Sequence, residues 1–343
     1  MRAVAGTLPG VAMPPIRTVE MHTGGEPVRI VVSGYPPVPG DTILAKRRHA
    51  RDHLDHLRRV LILEPRGHFD MYGVIPVEPD DPAADLAVLF MHNEGYSTMC
   101  GHATIALGRW AVDSGIVPAV EPVTRLAIQV PAGLVQVAVE VSGGHTGAVR
   151  FESVPAFVAA DAVPVDVAGH GVVQIDVAFG GAFYALAPAS VFGLDVRTSP
   201  VRDLVDAAWA VTTAVAAAVP LQHPDPDLGF LYGTILTDGA DAWSDAPTAN
   251  VCVFADRQVD RSPTGSGVAA RIAVQHARGQ IPLGVEREFE SLTRSTFTGR
   301  AVREVMAGDR PAVIVEVGGR AHYTGEAIFT AEDDDPLAPF LLR

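Results

Sequence analysis

Two short stretches decide the fold: Met99-Cys100-Gly101-His102-Ala103 and Ser262-Pro263-Thr264-Gly265-Ser266-Gly267. Each places a small hydroxyl or thiol side chain before glycine and opens an apolar, nearly uncharged helical run. The first run extends from about Cys100 to Val112 and stops near Ser114-Gly115. The second extends from about Gly265 to Ala277 and stops at Arg278-Gly279. Glycine just past the last periodic residue is the usual helix stop. A helix apolar on most faces belongs in a core. The two runs lie about half a chain apart, each among strand-like segments, so two similar α/β halves are expected, each with strands wrapped around a central helix.

Working outward, strand character is expected at Val28 to Ser33, Phe230 to Leu236, Val251 to Phe254 and Ala312 to Val317. Leu126 to Val130 and Leu134 to Val141 read as a hairpin about Pro131-Ala132-Gly133. Val172 to Ala187 is split by Gly180-Gly181. Helical periodicity marks Thr42 to Leu63, with apolar Leu54, Leu57 and Leu61, and Val201 to Val219. Glu152 to Asp161 is the crossover between the halves.

The bulk properties narrow the function. A chain of 343 residues with net charge −14 and 48% hydrophobic residues is globular, and it repels phosphate backbones, so no nucleic-acid partner is expected. Two cysteines, Cys100 and Cys252, make neither a disulfide framework nor a metal cluster, and they suit a reducing cytoplasm. Met1 to Pro15 lacks the features of a secretory leader, and no apolar run is long enough for a bilayer.

The helix starts carry the chemistry. The first turn of a helix has unpartnered N–H groups and a positive partial charge, so it binds carboxylates and favours a thiolate. Glycine allows close approach of a ligand. Two facing helix starts would hold one carboxylate between Cys100 and Thr264. They would also stabilise negative charge during α-proton removal without a metal or pyridoxal cofactor. Asp260 is placed to pair with an ammonium group, and His102 to bind substrate or act as an acid near neutral pH. Each residue also has a purely structural reading: Cys100 packed in a core, His102 satisfied and buried, Asp260 capping the turn before Pro263, Thr264 an N-cap. Cys252, in an apolar strand, is assigned to the core. His22 to Pro27 reads as a tight loop before a strand. The paired arrangement of the two helix starts is what favours a site.

These motifs resemble those of the proline racemase family. Met99 to His102 and Asp260 to Gly267 are similar to its two active-site motifs. His22 to Pro27 with Arg29-Ile30-Val31 resembles its N-terminal signature, and Gly180 to Tyr184 and Phe297 to Gly299 resemble two further segments. The resemblance spans roughly Arg17 to Phe329. It implies an α/β (α+β) fold of two pseudo-symmetric domains, similar to diaminopimelate epimerase. The halves are 15–152 and 153–319, with 320–343 packing back onto the first.

The resemblance also implies acid–base work by Cys100. Gly101, His102, Gly265 and Ser266 would hold the carboxylate, and Asp260 with His102 would contact a ring nitrogen. No cofactor is implied, and a homodimer is plausible. The departure is Thr264: racemases and 4-hydroxyproline epimerases of the family carry cysteine there. A threonine hydroxyl is too weak an acid or base to serve the second face. The Cys/Thr pair is that of the family's dehydratases, which implies a carbon–oxygen lyase converting trans-3-hydroxy-L-proline to Δ1-pyrroline-2-carboxylate. The competing readings are 4-hydroxyproline epimerisation or proline racemisation, imino-acid binding without turnover, and thiol-dependent hydrolysis.

Overall fold

The computed structural model describes residues 13–332, 334–337 and 339–342. The leader reading of Met1 to Pro15 falls mostly outside them. In the first part of the chain the strands are β1 (Ile16–Thr23), β2 (Glu26–Ser33), β3 (Gly73–Val77), β4 (Leu86–His92), β5 (Gly95–Ser97), β6 (Val123–Val130), β7 (Gly133–Ser142) and β8 (His145–Glu152). Its helices are α1 (Ile43–His53), α2 (Asp55–Ile62) and α3 (Gly101–Asp113). The second part holds β9 (Phe157–Val167), β10 (Gly171–Phe179), β11 (Phe183–Pro188), β12 (Leu231–Thr237), β13 (Thr248–Phe254) and β14 (Gln258–Asp260). It continues with β15 (Arg287–Glu290), β16 (Thr296–Ala307), β17 (Arg310–Gly319) and β18 (Ala321–Phe329), and its helices are α4 (Val201–Ala218) and α5 (Gly265–Ala277).

One series of pairings occurs twice. In the first half β18, β1, β2, β3, β4, β6, β7 and β8 are neighbours in that order, with β5 as a hairpin arm of β4. In the second half the order is β9, β10, β11, β12, β13, β15, β16 and β17, with β14 on β13. The parallel pairs fall at matching places, β2 with β3 and β4 with β6, then β11 with β12 and β13 with β15. Parallel neighbours need a long crossover, and a helix supplies each: α1–α2 and α3 in the first half, α4 and α5 in the second. The antiparallel pair β8–β17 joins the halves. β18, from the end of the chain, occupies beside β1 the place that β9 occupies beside β10.

The two central helices are buried as their composition requires. Eleven residues of α3, from Gly101 to Val112, and eleven of α5, from Gly265 to Gln275, are buried. Both stop at left-handed glycines, Gly115 (φ 74°) and Gly279 (φ 68°). α4 buries Leu204, Ala207, Ala208, Val211 and Val215, one face at helical spacing. The expected helix over Thr42 to Leu63 is two helices. The backbone breaks at Leu54 (φ −118°, ψ 8°), so that α2 turns Leu57 and Leu61 into the core. Among the described residues no helix is long and apolar enough to cross a membrane.

Candidate active site

Facing helix starts bring the two halves into contact. A Cβ built on Gly101 would lie 2.4 Å from the Cα of Gly265, and one on Gly265 would lie 2.8 Å from the Cα of Gly101. Backbone therefore meets backbone, an approach that only glycine permits. The first intrahelical i→i−4 bonds are donated by Thr104 to Cys100 and by Val268 to Thr264. The N–H groups of Gly101, His102, Gly265 and Ser266 precede them and have no intrahelical acceptor.

Around this junction is a tight, closed cavity of ≈ 10 Å3, room for about one water molecule. Its wall includes Cys100, Gly101, His102, Asp260, Thr264, Gly265 and Ser266, so the structure brings together all seven residues singled out from the sequence. A larger groove of ≈ 580 Å3 runs past His22 and Arg150, but no thiol or carboxylate lines it.

Cys100 is the N-cap of α3. Its sulfur accepts the Ala103 N–H at 3.4 Å and lies 3.1 Å from Nδ1 of His102. The expectation of an enriched thiolate is corrected by the burial of the site. Burial pushes the Cys100 thiol well above its ordinary value, and the charge of Asp260 pushes the same way, outweighing the Ala103 N–H. His102 is likewise not poised near neutrality. Burial lowers it to about 3, so the ring is neutral at physiological pH. Asp260 is raised by burial to about 6, against the lowering effect of Ser262 and Thr264. It also accepts the Ser262 N–H at 2.7 Å, so its turn-capping role is real and coexists with its place in the cavity wall.

Thr264 departs from the N-cap expectation. Its backbone is left-handed (φ 64°, ψ 88°), and its side chain makes no capping bond. A β-branched residue there is strained by roughly 1–3 kcal/mol, and such strain clusters at functional sites. Its buried hydroxyl lies near enough to Asp260 and Cys252 to favour their ionised forms, yet in a geometry that makes no hydrogen bond.

Cys252 belongs to the core, as its apolar strand implied. It is fully buried, as a core residue would be, but β13 pairs it with Asp260 on β14 and it lines the same cavity. Tyr72, Met99, Tyr184, Tyr232 and Phe254 complete the wall and were not singled out as site residues. The Tyr184 and Ser266 hydroxyls are 2.7 Å apart, and the Tyr72 ring stands edge-on to His102 at 4.8 Å. Only Met99 and Tyr184 carried a signal, as the start of the Met99 to His102 motif and the end of the Gly180 to Tyr184 segment. Gly180 is obligatory there, because a Cβ would meet the Ser266 carbonyl at 2.1 Å.

A thiol, an imidazole and a carboxylate around two opposed helix N-termini define an acid–base site for a small amino or imino acid. The proline racemase family model matches residues 18–339, and the chain belongs to that family. It is 59% identical over 337 residues to trans-3-hydroxy-L-proline dehydratase of Homo sapiens, covering 96% of this chain and 95% of the relative. It is 46% identical over 330 residues to the protein of that name from Burkholderia cenocepacia (strain HI2424), covering 96% and 98%. Among solved structures it resembles a hydroxyproline epimerase from Agrobacterium vitis with bound trans-4-hydroxy-L-proline, with TM-score 0.90, 27% identity and 97% of each chain covered.

Proposed function

We propose that this chain dehydrates trans-3-hydroxy-L-proline to Δ1-pyrroline-2-carboxylate. The observation that carries the reading is the asymmetry of the two helix starts: Cys100 at one, Thr264 at the other, in one cavity. The dehydratase names of relatives at 59% and 46% identity support it. Gly101, His102, Gly265 and Ser266 offer N–H groups to the substrate carboxylate, and Asp260 receives the ring ammonium. The halves 15–152 and 153–319, with 320–343 returning to the first, are the bodies that meet around the substrate. A homodimer and a cytoplasmic location accompany this reading, and the two free, buried cysteines fit a reducing compartment.

Stereochemistry assigns the proton work. In the trans isomer the C3 hydroxyl lies across the ring from the carboxylate, and so on the same face as the α-hydrogen. A base that takes the α-proton is therefore already beside the leaving hydroxyl. The incoming ammonium favours the Cys100 thiolate: the thiol gives its proton up to water as the substrate enters, while the neutral His102 ring, 3.1 Å from the sulfur, holds it in place. The thiolate takes the α-proton and the helix N-termini stabilise the charge on the carboxylate. The C3–O bond breaks, and the thiol proton leaves with the hydroxyl as water. The enamine tautomerises to the product and the thiolate is restored.

The test is incubation of the purified protein, without added cofactor, with trans-3-hydroxy-L-proline, trans-4-hydroxy-L-proline and L-proline in turn. Pyrroline from the first alone is expected. Cys252 favours one second reading, inversion, because its thiol, held protonated by burial, is an acid in the same cavity. D-configured product from either other substrate, lost in Cys252→Ala, would install that reading in place of dehydration.

A pH dependence follows from Asp260. The carboxylate must be charged to hold the ring ammonium, and burial places its titration at about 6. Protonation below that pH removes the partner, so kcat/KM should fall about tenfold per unit on the acid side. Steady-state rates from pH 4.5 to 8 check this, and Asp260→Asn should abolish the limb along with most of the binding.

A further inference from the structure

The His22 to Pro27 segment does more than turn the chain. Gly24 and Gly25, both left-handed, form the corner of the β1–β2 hairpin, and Thr23 pairs with Glu26 across it. Glu26 is thereby delivered, fully buried, to the boundary with the second half. Its Oε2 accepts the Arg261 N–H at 2.8 Å. The Arg261 guanidinium lies 3.5 Å from the same oxygen and 3.3 Å from Oδ2 of Asp70. Asp70 Oδ1 accepts the Val259 N–H at 2.9 Å. Asn93 Oδ1 accepts from the Gln258 side chain at 2.7 Å and from the Asp70 N–H at 2.8 Å.

Four consecutive residues of the second half, Gln258 to Arg261, are thus gripped along one edge by three residues of the first. The other edge of Gln258 to Asp260 pairs with β13. Between the two gripped N–H groups, those of Val259 and Arg261, stands Asp260, which lines the cavity.

We infer that Glu26 is a positioning residue for substrate binding: by holding the Arg261 amide across the boundary between the halves, it sets the Asp260 carboxylate where the ring nitrogen arrives. This rests on the reading of Asp260 as the ring-nitrogen partner. The second oxygen of Glu26, Oε1, is buried without a hydrogen-bond partner, which suits a neutral carboxyl better than a carboxylate. Burial and the neighbouring Asp260 hold Glu26 well above the usual carboxylate range, in agreement. Glutamine, neutral and with an oxygen at the same reach, therefore reproduces the grip. Alanine does not, and aspartate withdraws the acceptor by one methylene.

Asp260 meets the cation in ground state and transition state alike, so its displacement weakens uniform binding and should appear in KM. The experiment is kcat and KM for trans-3-hydroxy-L-proline in the wild type, Glu26→Gln, Glu26→Ala and Glu26→Asp, with Tm recorded for each. Glu26→Ala should raise KM by about tenfold or more with kcat changed less than about threefold, and Glu26→Gln should stay within about threefold of wild type in both. If Glu26→Ala does not fold, Glu26→Asp carries the test, with KM raised several-fold. An unchanged KM in the folded shortened variant overturns the inference, as does a folded Glu26→Gln with KM raised as far as in the shortened variant. A wild type that forms no pyrroline sinks the functional reading and this inference with it. An active wild type whose KM ignores Glu26 sinks the inference alone.

Discussion

Cys100→Ser is expected to lower kcat for trans-3-hydroxy-L-proline by on the order of 10³–10⁴-fold while the protein remains folded. A positioned acid or base contributes about 10²–10⁴-fold, and here one sulfur serves both the α-proton and the leaving hydroxyl, which places the loss at the upper end. Serine is a favoured N-cap, so the bond that Cys100 accepts from the Ala103 N–H survives the change. Tm should therefore hold or rise, which separates a chemical loss from an unfolding one. KM should move little, because the carboxylate and ammonium contacts lie on other groups. Thr264→Ala is the contrast. Its hydroxyl makes no hydrogen bond and titrates nothing, so dehydration should fall by less than about tenfold. A Thr264→Ala loss as deep as that of Cys100→Ser would mean that the second helix start takes part in the proton transfers. Single-turnover pyrroline formation on both variants settles the comparison.

What the sequence disclosed was periodicity and punctuation. α3 and α5 were legible because an apolar run followed a small polar residue and glycine, and because Gly115 and Gly279 stopped each run. Their meeting was inferred from resemblance between the two starts, and the contact of Gly101 with Gly265 realises it. β1 went unread because charged Arg17 and Glu20 interrupt its alternation, though Ile16, Thr18, Met21 and Thr23 are buried. β4 is buried at every residue, so it had no alternation to detect.

The electrostatics were illegible for a different reason. A helix start lowers a thiol pKa and an unperturbed histidine titrates near neutrality, but both tendencies presume contact with water. Burial reverses the first at Cys100 and suppresses the second at His102. Desolvation is a property of the closed assembly of both halves and is carried by no local motif. The second place of Cys252, in the cavity wall, was hidden on the same ground. Every residue of β13 is buried, and only the pairing with Asp260 shows which ones face the cavity.

Gly101→Ala should cost at least about 10²-fold in kcat/KM, although it adds one methyl group far smaller than the substrate. The added Cβ would lie 2.4 Å from the Gly265 Cα, with the Gly265 carbonyl carbon and nitrogen at 2.9 and 3.0 Å. No flexible side chain is there to yield, so the two helix starts must separate by about 1 Å to restore a carbon–carbon contact. That separation pulls apart the N–H groups meant to converge on one carboxylate, and a misplacement of about 1 Å can cost 10²-fold. Overpacking adds a stability loss of about 1–3 kcal/mol, read as a lowered midpoint in urea. Gly265→Ala should behave alike, since its Cβ meets Gly101 at 2.8 Å. The double variant should lose less than the sum of the two, because the first methyl has already opened the gap the second needs. Gly325→Ala is the control, since its Cβ would meet nothing within 4 Å. If Gly101→Ala kept full activity, the carboxylate would have to be held by something other than these two helix starts, and the proposed division of labour around Cys100 would fail with it.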